Sequence, residues 1–127
     1  MNRIALINFT QKEYRELSAQ LKNNNYQVAR ATTAKSMKSV LEKGSVLAAM
    51  FDIDEIPKVK DLIQIVAKQA PETKIFCLSV KKLHPDLEDL ISRCVYACLA
   101  KPIETSELFY LLDGVKKDRQ NSRGNGL

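Results

Sequence analysis

Apolar positions along the chain follow two spacings, and together they predict alternating strands and helices. Short unbroken apolar runs are typical of strands buried on both faces, whereas apolar residues three and four apart are typical of helices that bury one face. The apolar runs predict strands at residues 3–8, 26–31, 46–51, 74–79 and 95–99. The helical spacing predicts helices over residues 11–23, through Met37 and Leu41 to Gly44, from Val59 through Val66, from His84, and from Glu104 or Thr105.

The order of these elements predicts the fold class. Strands that alternate with helices indicate a three-layer α/β domain with a parallel sheet, because parallel strands need crossover connections. Right-handed crossovers leave few topologies. Five strand–helix units in so short a chain favour the flavodoxin-like (βα)5 fold, a parallel five-stranded sheet of order 2-1-3-4-5.

Carboxylates follow the most apolar of the predicted strands. The run VLAAMF leads directly into Asp52, Asp54 and Glu55. In open α/β sheets, reactive groups lie just beyond the carboxyl ends of the strands. Asp52 is therefore the first candidate for a functional residue, whereas we interpret Glu55 as part of a solvated loop.

Polar side chains also follow the neighbouring strands of the predicted sheet. Asn8 ends the first strand, Ser79 ends the fourth, and Lys101 comes shortly after the fifth. We expect Asp52, Ser79 and Lys101 to share one cleft. A carboxylate, a hydroxyl and an amine in that arrangement suit phosphoryl transfer, because a carboxylate can attack phosphorus and an ammonium group neutralises the phosphoryl oxygens.

These residues make the chain resemble the receiver domain of bacterial response regulators. The resemblance covers residues 3–117 and lies in the segments RIALI, FDID, CLSV and LAKPIETSEL, of which Lys101-Pro102 is the most specific. It implies that Asp52 accepts a phosphoryl group from a histidine kinase or a phosphotransfer protein. It also implies that Ser79 senses that group, that Lys101 is the essential lysine, and that the Lys101-Pro102 peptide is cis.

The chain departs from the receiver pattern at its predicted metal site. Receivers carry an acidic pair after the first strand that holds Mg²⁺, and Asn8-Phe9 stands there instead. Asn8, Asp52 and Asp54 remain as ligands, so we expect Mg²⁺ to bind weakly or not at all, because Phe9 offers no oxygen to a hard cation. Pro57 also lies one residue later than in receivers.

The chain also lacks the aromatic residue through which receivers switch. Its position, three residues before the lysine, holds Cys98, and we expect the nearby Tyr96 to face the other side of the strand. Two functions follow: a phosphoacceptor module, or a pseudo-receiver that binds proteins independently of phosphorylation. In either case a downstream protein would bind the face formed by the predicted fourth helix, fifth strand and fifth helix.

A third hypothesis, a small-molecule binder or enzyme of flavodoxin-like fold, finds little support. The four glycines are at positions 44, 114, 124 and 126, and none begins a helix after a strand. A phosphate-binding glycine loop is therefore not available. We expect a non-enzymatic signalling module.

Composition limits the remaining possibilities. The 127 residues suit one domain, which we place at 1–117, followed by a disordered basic tail at 118–127. Residues 116–127 hold +3 of the net charge of +5, so the body of the domain is only weakly basic and we expect no nucleic-acid partner. Neither a signal peptide nor a membrane span is evident, and we expect a cytoplasmic protein that is a monomer or a weak homodimer. Three cysteines in such a chain do not suggest a disulfide framework.

Overall fold

The computed structural model of the chain describes residues 2–54, 59–80 and 93–125, and in these ranges it confirms the predicted architecture. The sheet is parallel and has the order β2-β1-β3-β4-β5. Its strands are β1 (Arg3–Ile7), β2 (Gln27–Ala31), β3 (Ala48–Asp52), β4 (Lys74–Ser79) and β5 (Val95–Ala100). The helices are α1 (Gln11–Asn23), α2 (Ala34–Glu42), α3 (Val59–Gln69) and α4 (Thr105–Asn125), the last of which was the fifth helix of the sequence-based prediction.

Some predicted features lie outside the described residues. They are Glu55, Pro57 and the helix predicted to begin at His84. None of the helices in the described ranges is both long enough and apolar enough to cross a bilayer.

β3 is the centre of the sheet, as its apolar sequence predicted. All five of its residues are buried, and it pairs with β1 on one side and with β4 on the other. Its last residue, Asp52, lies in register with Leu78, next to the end of β4. The strand that is most completely surrounded by protein therefore carries the candidate carboxylate to the edge of the sheet.

Side chains from the two faces of the sheet form two separate cores. On one face, Leu6, Met50 and Phe76 pack in a cluster with Leu17 of α1 and Leu108 of α4. On the other face, the buried cluster contains residues of β1, β3 and β4 together with α2 and α3, among them Ala49, Phe51, Met37 and Ile63. The two clusters give the predicted three layers, because successive strand residues point to opposite faces.

Tyr96 and Cys98 lie on opposite faces of β5, as expected, but regular alternation does not explain this. Residues two apart in a regular strand share a face. The pairing of β4 with β5 is irregular between Ile75 and Phe76, and this irregularity changes the alternation. The Tyr96 ring stacks on Phe76, with ring centroids 5.5 Å apart, whereas the Cys98 thiol contacts Cys77 in the other core.

α4 continues past Lys117, the residue at which the sequence led us to end the ordered domain. Arg119 explains part of this extension. Its guanidinium group donates to Ser45 Oγ at 3.2 Å, to the Val46 carbonyl at 3.4 Å and to the Glu72 carbonyl at 2.9 Å. These contacts attach α4 to the segments that precede β3 and β4. The domain boundary at 117 stays a prediction.

Candidate functional site

The structure brings Asp52 and Lys101 into direct contact at the carboxyl edge of the sheet. The Asp52 side chain is 0% exposed, and Lys101 Nζ donates to its Oδ2 atom at 2.5 Å. Lys101 follows β5 immediately and is joined to Pro102 by a cis peptide bond, as the resemblance implied. The ammonium group reaches across the end of β4 because β4 lies between β3 and β5.

Ser79 also lies at this edge, but its hydroxyl contacts Asp54. Ser79 Oγ donates to Asp54 Oδ1 at 2.7 Å, and the backbone N–H of Val80 donates to Asp54 Oδ2 at 2.9 Å. The backbone N–H of Asp54 in turn donates to Asp52 Oδ1 at 3.2 Å. The turn after β3 therefore brings the Asp54 carboxylate back to the end of β4.

Lys101 lies among three carboxylates, one of which sequence reasoning missed. Its Nζ atom is 2.5 Å from Asp52, 3.5 Å from Asp54 and 3.7 Å from Glu13. Glu13 lies in the first turn of α1, where its N–H donates to the Thr10 hydroxyl and its carboxylate accepts from that hydroxyl. The pattern Thr10-x-x-Glu13 is a signature of a helix start and could have indicated an acid facing this edge.

Burial and charge act in opposite directions on the pKa values of this site. Burial raises the pKa of Asp52, although the hydrogen bond from Lys101 and the charge of Lys101 counteract it. Burial also acts to raise the pKa of Asp54, but the hydrogen bonds from Ser79 and Val80, together with Lys101, bring it below its usual value. Partial burial acts to lower the pKa of Lys101, yet its hydrogen bond to Asp52 and the surrounding carboxylates raise it.

The exit of β1 is built differently from the rest of the site. Asn8 adopts a left-handed conformation with φ of 62°, and its backbone N–H donates to the Ala31 carbonyl at 2.8 Å. Phe9 is only 4% exposed and packs in the core that contains Leu17. Phe9 therefore contributes to the hydrophobic core and offers no oxygen to the site.

The predicted ligands Asn8, Asp52 and Asp54 do not fit Mg²⁺ as they are arranged. Asp54 accepts hydrogen bonds at both carboxylate oxygens, and Asp52 Oδ2 faces an ammonium group. Within the described ranges, no three His, Cys, Asp or Glu side chains are grouped so that they could hold a metal ion. Among the described side chains, Lys101 is the cation that contacts these carboxylates.

Comparison with solved structures identifies the fold. The chain is similar to the signal receiver domain of an HD-domain protein from Pseudomonas fluorescens Pf-5, with a TM-score of 0.79 and 20% identity over 98% of this chain and 93% of that one. It is also similar to the receiver domain of the response regulator TorR, with a TM-score of 0.81 and 13% identity over 93% of this chain and 98% of that one.

A third similar structure contains a phosphoryl mimic. It is the response regulator TrrA from Thermotoga maritima in complex with Mg²⁺ and beryllofluoride, with a TM-score of 0.73 and 19% identity over 91% of this chain and 99% of that one. No protein-family model and no curated protein sequence matches the chain. The fold is therefore that of a response-regulator receiver domain, at sequence identities too low to transfer function.

Proposed function

We propose that this chain is a receiver domain of two-component phosphorelay signalling, in which Asp52 accepts a phosphoryl group. The observation that carries the proposal is the contact between Lys101 Nζ and Asp52 Oδ2 at the end of the central strand. This contact supports the proposal because a carboxylate can attack phosphorus and a neighbouring ammonium group can neutralise phosphoryl oxygens. The donor would be a histidine kinase or a phosphotransfer protein of the cytoplasm.

The proposed transfer is a displacement at phosphorus. A carboxylate oxygen of Asp52 attacks the phosphorus of a phosphohistidine, a P–O bond forms, the P–N bond breaks, and the bonding pair leaves with the imidazole, which takes up a proton. The product is an acyl phosphate. Lys101 stabilises the charge on the transferred oxygens, and Ser79 Oγ and the Val80 N–H are donors within the same edge of the sheet.

We propose that transfer is slow and depends little on Mg²⁺. The carboxylates that would hold the ion surround Lys101, and Phe9 occupies the position of a metal-binding acid. Bridging cations carry much of the charge neutralisation in phosphoryl transfer, so their weak binding lowers the rate.

A second candidate function is a pseudo-receiver that binds a partner independently of phosphorylation. The observation that favours it is the engagement of Ser79 by Asp54, because the hydroxyl that would sense a phosphoryl group already has an acidic partner. The partner would bind the face that contains β5 and α4, where Tyr96 and Tyr110 are exposed.

Incubation with acetyl phosphate, with and without Mg²⁺, separates the two functions. If Asp52 is a phosphoacceptor, intact-mass measurement should show slow addition of one phosphoryl group to the native protein and none to Asp52→Asn. The variant is nearly isosteric and keeps an acceptor for Lys101, so its fold should persist. No addition to the native protein after prolonged incubation, or equal addition to both proteins, would exclude Asp52 as a phosphoacceptor and favour the pseudo-receiver.

A further inference from the structure

Three hydrogen-bond donors converge on the side chain of Asp54. Oδ1 accepts from Ser79 Oγ at 2.7 Å, Oδ2 accepts from the Val80 N–H at 2.9 Å, and Lys101 Nζ lies 3.5 Å from Oδ2. A hydroxyl, a backbone amide and an ammonium group around one anion form an oxyanion site. The Asp54 side chain is only 20% exposed there, so these protein donors have replaced much of its hydration.

The same donors face the candidate phosphoacceptor. Lys101 Nζ contacts Asp52 Oδ2 and lies near Asp54 Oδ2 at the same time, so the two carboxylates lie side by side. A phosphoryl group on Asp52 would extend from that carboxylate, and its oxygens would need the donors that Asp54 now uses. We propose that the Asp54 carboxylate is an intramolecular ligand of this oxyanion site and excludes an external phosphate-like anion from it.

This inference rests on the proposed function only for the identity of the excluded group. Its structural basis is the turn after β3, in which the Asp54 N–H donates to Asp52 Oδ1. That bond fixes the backbone so that the Asp54 side chain returns toward the end of β4. Entry of a phosphoryl group therefore requires Asp54 to rotate away and to release three donors.

The hydrogen bonds of Asp54, and not only its negative charge near Lys101, distinguish it from the other nearby acid. Glu13 also lies near the ammonium group, at 3.7 Å, but its side chain is 40% exposed and its carboxylate accepts from Thr10. Glu13 therefore offers a matched control. Glu13→Gln removes one negative charge near Lys101 and leaves the contacts of Ser79 and Val80 intact.

The test measures binding of inorganic phosphate where phosphorylation cannot occur. In an Asp52→Asn background, the amide signal of Val80 is followed by NMR during titration with phosphate. Adding Asp54→Ala should tighten phosphate binding by about tenfold or more, equivalent to about 1.4 kcal/mol. Adding Glu13→Gln should tighten it by less than about threefold, because only a screened surface charge is removed.

Each other outcome overturns the inference. It is wrong if phosphate binds equally with and without Asp54, if it binds neither protein, or if Glu13→Gln gives the same gain as Asp54→Ala. Asp54→Asn serves as a second variant should the alanine variant unfold. Its amide has one acceptor oxygen for the three donors and carries no negative charge, so it should also bind phosphate more tightly than the parent.

A second measurement keeps this inference apart from the proposed function. With Asp52 present, Asp54→Ala should accept a phosphoryl group from acetyl phosphate about tenfold faster than the native protein, because the oxyanion site is open. If the phosphate titration shows an opened site but Asp54→Ala accepts no phosphoryl group, the phosphoacceptor function is wrong and the occupied site stands. If Asp54→Ala does not tighten phosphate binding while the native protein is phosphorylated, the occupied site is wrong and the phosphoacceptor function stands.

Discussion

At the scale of single residues, the contact between Asp52 and Lys101 dominates the electrostatics of the site. Asp52 is fully buried, and Lys101 is the basic residue that contacts it in the described part of the chain. A buried pair of this kind adds little net stability over an apolar pair, but removal of one partner leaves an uncompensated charge.

Lys101→Met should therefore destabilise the domain by about 3 kcal/mol, at the low end for a broken buried pair because Lys101 remains 15% exposed. Urea unfolding monitored by circular dichroism measures the change. Asp52→Asn/Lys101→Met should recover a large part of the loss, because no buried charge then remains. A single variant as stable as the native protein would show that Asp52 is not held as an anion by Lys101.

A second residue-scale prediction concerns the thiol at the position of the missing aromatic. The hydrogen bond from Cys77 lowers the pKa of Cys98 to about 7, even though partial burial opposes this. In a Cys94→Ser background, alkylation of Cys98 should therefore rise with pH through a midpoint near 7, because the thiolate is the reactive form. Cys77→Ala should move the midpoint upward. Identical midpoints in the two proteins would contradict the hydrogen bond.

The positions of the site residues could be predicted where a residue lies at the end of a strand. Asp52, Ser79 and Lys101 were predicted at one edge because parallel strands end together, and the structure places them there. The contact of Ser79 with Asp54 was not predictable, since it depends on a turn and a rotamer that no periodicity encodes. Glu13 was missed because a first-turn acid usually only caps its helix.

At the scale of elements, α4 contains a glycine where helix propensity disfavours one. Gly114 lies in the middle of Thr105–Asn125, and a Cβ atom added there would be 3.5 Å from the Tyr96 hydroxyl, an ordinary contact distance. The structure therefore has room for a methyl group at this position.

Gly114→Ala should stabilise the domain by about 0.5–1 kcal/mol, because alanine loses less backbone entropy in a helix. The free energy of urea unfolding measures this, with Ala67→Gly in α3 as the opposite control, which should destabilise. Destabilisation by Gly114→Ala would show that the packing of Tyr96 against α4 is tighter than the structure indicates.

The extents of these elements were less predictable than their order. All five strands were predicted within about two residues, since apolar runs in a parallel sheet are distinct. The irregular pairing of β5 was not predicted, because a bulge changes side-chain direction without a reliable sequence signal. The length of α4 beyond Lys117 depends on tertiary contacts of Arg119 rather than on local composition.

At the scale of the whole molecule, coupling between the phosphorylation site of a receiver and its partner-binding face requires an element with two states. Receivers use an aromatic side chain of the fifth strand, and here Cys98 stands at that position. A ligand can shift an equilibrium only by its differential interaction with the two states. Rotation of the Cys98 side chain moves a single sulfur atom, so the two states would differ little in their interaction with a ligand.

Beryllofluoride should therefore change the affinity for a partner that binds the face of β5 and α4 by less than about tenfold, or about 1.4 kcal/mol. Isothermal titration with a purified partner, with and without beryllofluoride and Mg²⁺, measures the coupling. Asp54→Ala should be tested in parallel, because an open oxyanion site accepts the mimic more readily. A larger change in either protein would show a switch that does not use an aromatic at position 98.

The position of Arg119 has a practical consequence for such binding experiments. α4 begins four residues after Lys101, and Arg119 in its C-terminal part contacts the segments before β3 and β4, so these two parts of the helix lie at opposite ends of the strands. A strand of five residues spans about 17 Å, and the length of β3 separates the contacts of Arg119 from Asp52. A biotin or a sensor surface coupled near the end of α4 would therefore hold the domain with its carboxylates turned toward the solution.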